Sequence, residues 1–521
     1  MKTFVAAVLT MSLLAVAPAN PQASGSRPPP EAPQWGAFQP GPYRVGFRSM
    51  HRYDRSRGYF PRVDHEGNRD PLETARPMQI SVWYPAGPAG EGSEPMRFGE
   101  YVDLEGQAFG PDRSSPASIA DARESLRRGP LNPFFPDGVS DADLRSVLET
   151  PTAAYRDAPA AEGRFPIVVH AGFSLIGQSV LLEYLASHGY VVVSVPLLGT
   201  APAWYHRGEG TPRAYQAGAD DIGFLLAEAS GLEFADPERT AVIGMFSANG
   251  LLFQMQHMRL DALAVLDGSY PDALRDVPGF DPTAVRIPIL DMPRAGSRPD
   301  RAMLDSLRFA DRWSVAFEGV GHGDFYQFER IARPERADEH VAYHVIGCYT
   351  RAFLDATLKD DAEGRRFLSL DPDEAGAPPG MMDIAFRAGE DPVPTESEFL
   401  RLIREGEADT ARRAWERGDA PLADEGSFTT TLMFLRRDAG PNASLEGFRL
   451  LADMYPRSWR ARERLGSTLR LAGDGAAALA AYRAALRLLE EAEPAPEGLE
   501  GHRQRLGEAV ADLESEGAGV G

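Results

Sequence analysis

Cysteine is almost missing from this 521-residue chain: Cys348 stands alone. No intrachain disulfide can brace the fold, even in an oxidising compartment. Basic charge is also short. Lys and Arg number 54 against 76 Asp and Glu, a formal net charge of −22. Such a chain lacks the cationic surface that neutralises phosphates, which argues against nucleic acid as a partner. No run of like charges is long enough to make a solvating tail. After the N-terminal segment no apolar run reaches the roughly 18 to 20 residues that a membrane span requires. What remains is ordinary for a globular protein, with 43% apolar residues, and the length points to about two to four units.

The N-terminus is informative. Lys2 precedes an apolar run over residues 4–16, and Ala17-Pro18-Ala19 has the small-x-small form of a cleavage site. Residues 1–19 therefore read as a secretory signal peptide, and the mature chain is expected outside the cytoplasm, periplasmic or secreted. A buried N-terminal helix is the competing reading, and the prolines from Pro28 to Pro33 oppose it. Residues 20–42 are rich in Pro, Gly and Ser and read as a linker.

The hydrophobic rhythm then suggests an α/β domain over residues 43–368. Residues 78–84 alternate as a strand and end at Pro85. Residues 86–160 lack strong strands and hold one helical stretch near 118–126, so they form a cap over a site or a surface insertion. From Arg164 short apolar runs alternate with helical patterns. Strands are expected at 165–170, 190–195, 240–246, 262–266, 287–292 and 313–317, and helices at 180–187, 217–228, 251–258 and 342–358. That alternation predicts a mostly parallel, doubly wound sheet covered on both faces. Residues 369–395, rich in Pro, Gly and Asp, read as a second linker.

Everything after that reads as helix, over 396–521. Leu465-Gly466, Gly473, Ala478, Tyr482 and Ala485-Leu486 fall at the small and large positions of a tetratricopeptide repeat. Ser444, Phe448, Leu451 and Pro456 form a fainter copy 34 residues earlier, the period of helix-turn-helix arrays. Two such units are fewer than a free-standing array needs, so this region is expected to pack on the hydrolase domain or on a protein partner.

Serine chemistry requires a nucleophile on a sharp turn between strand and helix. The stretch from Thr240 to Gly250 has that order. Counting G-x-S-x-G from Gly244 lands on Phe246, which cannot attack a carbonyl. Counting back from Gly250 lands on Ser247, with one residue inserted in the turn and Asn249 in a glycine position, where asparagine's tolerance of positive φ would serve. Ser174, in Gly172-Phe173-Ser174-Leu175-Ile176-Gly177, is the alternative nucleophile. Its loop follows the first strong strand, where it is better suited to present the Phe173 N–H to an oxyanion beside the Ala248 N–H. His322, among Gly319, Gly321 and Gly323 after the last expected strand, is the candidate base. Asp267, ending the 262–266 run, is the candidate acid, with Asp291 and Asp300 as alternatives. His340 and His344 have the four-residue spacing of a zinc pair, but Glu339 precedes the first histidine, so no H-E-x-x-H motif forms. A partly exposed helix face explains the two histidines instead.

Leu185-Ala186-Ser187-His188-Gly189-Tyr190-Val191-Val192-Val193, the elbow, Leu266-Asp267-Gly268-Ser269 and Gly321-His322-Gly323-Asp324-Phe325 occur in this order. With Val82-Trp83-Tyr84-Pro85 they resemble the platelet-activating-factor acetylhydrolase-like branch of the α/β-hydrolases, which is similar to dienelactone hydrolases. The resemblance spans roughly residues 40–360. It implies Asp267 as the acid and cofactor-free hydrolysis of short-acyl or lipid esters. The reading is thus an exported serine hydrolase with Ser247, Asp267 and His322 as triad. The irregular elbow supports an alternative, a hydrolase-fold protein that has lost turnover and binds a ligand or partner. Mass spectrometry of the mature protein from its native host should find it starting just after Ala19; a cytoplasmic form beginning at Met1 would contradict export.

Overall fold

The apolar runs become strands of one sheet. In chain order these are β1 (Arg44–Gly58), β2 (Ala75–Ala86), β3 (Ala154–Arg156), β4 (Phe165–His170), β5 (Val191–Ser194), β6 (Ala235–Gly244), β7 (Ala262–Leu266), β8 (Ile289–Met292), β9 (Arg312–Phe317) and β10 (Met382–Arg387). Across the sheet they run β10-β9-β8-β7-β6-β4-β5-β2-β1-β3. Neighbours from β5 to β9 are parallel. The strand β2 is antiparallel to β1 and to β5, and β10 is antiparallel to β9. The computed structural model describes residues 32–58, 75–88, 93–108, 110–111, 114–172, 175–196, 211–245, 248–267, 270, 272–294, 301–391, 393–418, 420–491 and 499–518. The expected signal peptide, the start of the 20–42 stretch, and Phe173, Ser174, Phe246, Ser247 and Asp300 lie outside them.

Strands buried on both faces need apolar side chains at every position, and that is why the central runs are continuous. Within each run alternate residues still divide between two cores. Val168, Val192, Ile243 and Leu266 belong to one cluster, and Ile167, Val169, Val242 and Val265 to the other. Three short helices, α1 (Phe98–Glu105), α2 (Pro116–Leu126) and α3 (Asp141–Glu149), occupy the 86–160 stretch. Phe98, Tyr101, Val102, Leu144 and Val147 from them are part of the first core. Next come α4 (Ser179–Ser187), α5 (Pro212–Ser230) and α6 (Ala248–His257), then the short α7 (Arg301–Ser306) and α8 (Phe328–Ala332), and finally α9 (Val341–Leu358) and α10 (Ala362–Leu368). Helix α9 packs in the first core, and α5 and α6 in the second. This is the α/β-hydrolase architecture: a mostly parallel, doubly wound sheet with a strand–turn–helix at β6–α6.

The structure departs from expectation at the sheet's margins. Strand β1 is invisible as an apolar run because Arg44, Arg48 and Arg52 alternate through it; two of them lie over aromatic rings, Arg44 over Tyr155 and Arg48 over Tyr84. The expected linker at 369–395 is corrected in its middle, where Met382–Arg387 form β10 against β9. An edge strand with one exposed face offers only a weak apolar signal, and here the Phe386 ring lies tilted against Trp313 at 4.6 Å.

Asp391–Gly521 form a second compact unit. It contains α11 (Glu396–Arg404), α12 (Ala408–Glu416), α13 (Glu425–Ala439), α14 (Pro441–Met454), α15 (Trp459–Leu471), α16 (Gly475–Glu490) and α17 (Glu500–Ala518). Helices α15 and α16 each begin 34 residues after α13 and α14. The two pairs interlock oppositely. Gly447 of α14 leaves room for Leu432 of α13, whereas Gly466 of α15 leaves room for the Tyr482 ring of α16.

A buried carboxyl ties the outlying segments to the first unit. Glu183 of α4 is fully buried. Its Oε2 accepts from Trp35 Nε1 at 3.0 Å and from the Ala153 amide at 3.1 Å, and its Oε1 accepts from the Tyr101 hydroxyl at 2.9 Å. Burial pushes its pKa up to about 7, against these three donors. The neutral acid fits as well, since its hydrogen can turn to the Tyr101 oxygen. Because the folded value lies above the ordinary 4.5, the folded chain keeps a proton that the unfolded chain has already released. The stability from this group is full below that window and is lost as pH rises through it.

Two outcomes are expected. Limited proteolysis should cut within 391–395 and spare β10; a first cut inside 382–387 would show that strand unformed. Between pH 4.5 and 7 wild type should lose stability by about 3 kcal/mol more than Glu183→Gln, read from denaturant melts. Asp291, raised to about 7 by burial, titrates with the same sign in both proteins, so parallel pH profiles would refute the assignment to Glu183.

Candidate functional site

The end of β6 and the start of α6 are set by close backbone contacts. Gly244 ends β6 with φ +127°, and a Cβ there would lie 2.4 Å from the Ala171 carbonyl oxygen. The Ala171 amide in turn donates to Ile243 O at 2.8 Å, so the ends of β4 and β6 are locked together. Only glycine fits both the space and the angle. Gly250 lets α6 lie against its own strand, since a Cβ there would sit 2.7 Å from Val242 Cγ1. Asn249 corrects an expectation. It is an ordinary helical residue of α6, absent from the positive-φ positions. Its buried amide packs instead against Gly218 of α5, where any Cβ would collide with it. Ala248 is the first residue of α6, where a backbone amide has no acceptor within the helix.

Asp267 directly follows β7 in a left-handed conformation, φ 55°, which Asp tolerates better than most side chains. Its side chain is 3% exposed. Oδ2 accepts a hydrogen bond from His322 Nδ1 and another from Arg294 Nη1 at 2.7 Å. Arg294 Nη1 is 3.1 Å from His322 Nδ1. A carboxylate only accepts, so the imidazole proton must sit on Nδ1 and point at Asp267, and Arg294 Nη1 is then a close neighbour of Nδ1 and not a donor to it. Nε2 is then left with its lone pair. The His322 side chain is 55% exposed and meets the Tyr326 ring edge-on at 5.2 Å, with Phe328 stacked behind at 5.4 Å. Burial, helped by the Asp267 charge, pushes the Tyr326 hydroxyl up to about 12, so it stays a phenol.

The turn that carries His322, His322–Phe325, is pinned from behind. Asp324 accepts from the Gly321 amide at 2.6 Å and faces His340 Nε2 at 3.4 Å. The hydrogen bond with His340, more than that with Gly321, holds the Asp324 carboxyl below its usual range. His340 thus supports a turn, and His344 lies 3.6 Å from Cys348 Sγ. Asp291 is buried elsewhere, accepting from the Tyr270 hydroxyl at 3.1 Å, so the carboxylate brought to His322 is Asp267. Ser247, Ser174, Phe173 and Asp300 fall outside the described residues. Sequence reasoning missed Arg294 and Tyr326. The signal for Arg294 was its place just past β8, at the same edge of the sheet as Asp267.

No protein-family model matches this sequence, and no curated protein matches it. Solved structures similar to it include a ferulic acid esterase from Streptomyces cinnamoneus, at 19% identity and a TM-score of 0.43 over 63% of this chain and 92% of that one. An acylaminoacyl peptidase from Pyrococcus horikoshii matches at 16% identity and a TM-score of 0.32, over 42% of this chain and 40% of its own.

Proposed function

We propose that the protein is an exported serine hydrolase that cleaves carboxylic esters, of short-acyl or lipid-ester type, through an acyl-enzyme. The observation that carries this reading is the hydrogen bond from His322 Nδ1 to the buried Asp267 carboxylate at the end of β7. It orients the imidazole and leaves Nε2 as a base. The reading gains support from chain order. Ser247, Asp267 and His322 follow β6, β7 and β9, in the Ser–Asp–His sequence of α/β-hydrolases.

In the reaction Ser247 Oγ attacks the ester carbonyl while His322 Nε2 takes its proton. Asp267 stabilises the imidazolium that results. The amides of Phe173 and Ala248 hold the oxyanion, and Ala248, opening α6, is placed where helix amides favour negative charge. The imidazolium returns the proton to the leaving alkoxide. Water, deprotonated by the same nitrogen, then releases the acyl group. Tyr326 and Phe328 supply an apolar wall for a non-polar part of the ester. The 34-residue hairpin pairs of the second unit are read as tetratricopeptide-like, with a protein partner as their ligand.

A fluorophosphonate probe should label wild type and not Ser247→Ala. Turnover of a short-chain aryl acetate should fall at least about 10³-fold in Ser247→Ala and His322→Ala, while Ser174→Ala should keep most of it. Equal activity in wild type and Ser247→Ala would remove the mechanism and leave the binding-protein reading in its place.

A further inference from the structure

Gln327 lies five residues beyond His322 and is fully buried. Its main-chain N–H donates to Gly177 O at 3.0 Å. Its side-chain Nε2 donates to Ile176 O and to Ser179 Oγ, each at 2.7 Å, and its Oε1 accepts the Val180 amide at 2.6 Å. One residue therefore holds four groups along 176–180, the segment that runs from the loop after β4 into α4. The loop answers in kind: Gln178 Nε2, 2% exposed, donates to Phe325 O at 3.0 Å. The Tyr326 ring covers Gly177 so closely that a Cβ there would lie 2.9 Å away.

These bonds join the turn that carries His322 to the loop that carries Phe173. The near end of that loop is fixed to the sheet by the Ala171 amide on Ile243 O. The far end is fixed chiefly by Gln327, with help from the Leu175 amide on Glu105 Oε1 at 3.1 Å. In the proposed reaction the base and the oxyanion donors must keep a constant separation while charge moves between them. We propose that Gln327 is a positioning residue that sets this separation by registering the His322 turn against the Phe173 loop. The inference rests on the serine-hydrolase reading and deepens it. A purely structural role is the competing account: Gln327 would then serve only to satisfy the first amides of α4, where Gln178 makes no side-chain cap.

The test uses the full chain with Gln327→Met, which keeps the volume and removes the side-chain hydrogen bonds, and Gln178→Met, which cuts the reciprocal link to Phe325 together with the side chain's interaction with His170. In Gln327→Met, kcat on an aryl acetate should fall roughly 10- to 100-fold, with KM within about twofold. Affinity for phenylboronic acid, whose serine adduct places an oxygen among the oxyanion donors, should fall by the same factor as kcat. Gln178→Met should move both quantities the same way by less, and the double variant should lose less than the product of the two single losses. A lower Tm with kcat and boronate affinity unchanged would overturn the proposal and leave only the helix-capping role. Should Gln327→Met fail to fold, Gln178→Met carries the same readout, and unchanged kcat there would be equally adverse. Wild type that neither turns over ester nor takes up the fluorophosphonate probe would instead sink the serine-hydrolase reading, and this inference with it.

Discussion

A parallel strand has no hairpin partner, so each strand from β4 to β9 must leave the sheet at its carboxyl end and return through a covering segment. This constraint places unlike chemistry side by side. The register sets His170 beside Ile243, Gly244 beside Val265, and Leu266 beside Met292. One or two residues beyond these pairs come Ala171, Met245, Asp267 and Arg294. The site is therefore assembled from neighbouring strand ends and not from any contiguous stretch of chain, and the crevice beyond those ends is where ligands bind in open α/β sheets. Gly244 shows how tight the edge is, because a single methyl there would displace the end of β4.

How much of this could be read from the sequence follows from which positions are buried on both sides. The runs at Phe165, Tyr190, Thr240 and Ala262 were legible because their sheet positions are enclosed by two layers. Strands β1 and β10 were not, because one face of each carries arginines or solvent. Helices α1 and α3, of 8 and 9 residues, are too short for a convincing period of 3.6. Asp267 and His322 were legible because each stands at a strand end or among glycines, where a side chain can be presented without regular structure around it. At the start of α6 one detail was misread. Asn249 needs no unusual backbone; its position is tolerated because α5 carries Gly218 opposite it, a pairing of two distant residues that no local pattern reveals. Gln327 was invisible for the same reason, since most of its partners are backbone groups about 150 positions earlier.

The buried polar groups divide into two kinds. Glu183 and Arg330 hold the periphery to the core. Arg330 is fully buried and, among the described residues, has no carboxylate partner: it donates to Trp35 O at 2.7 Å and His340 O at 2.9 Å, and lies near the rings of Phe38 and Tyr343. Carbonyl oxygens and aromatic faces are weaker partners than an anion, and burial lowers its pKa. Such a charge is tolerable only where its acceptors are fixed, so the segment from Gln34 to Phe38 must stay docked for the arginine to remain inside. Gln327 and Gln178 are of the second kind. They are neutral, and they join two loops without importing charge next to a base whose protonation must stay free to change.

Arg294 is the exception to that economy of charge. Its guanidinium shares Asp267 Oδ2 with the imidazole, so the carboxylate is held by two donors on one oxygen. Asp267 gains from this, because its left-handed backbone, φ 55°, offers little intrinsic preference to hold the side chain in place. The imidazole loses from it, because in the proposed reaction an imidazolium must form 3.1 Å from a cation. With Arg294 38% exposed, solvent screens part of that repulsion, and the carboxylate between the two charges offsets more. The acid is thus held in place by a cation that stands beside the base, with Oδ2 accepting from both.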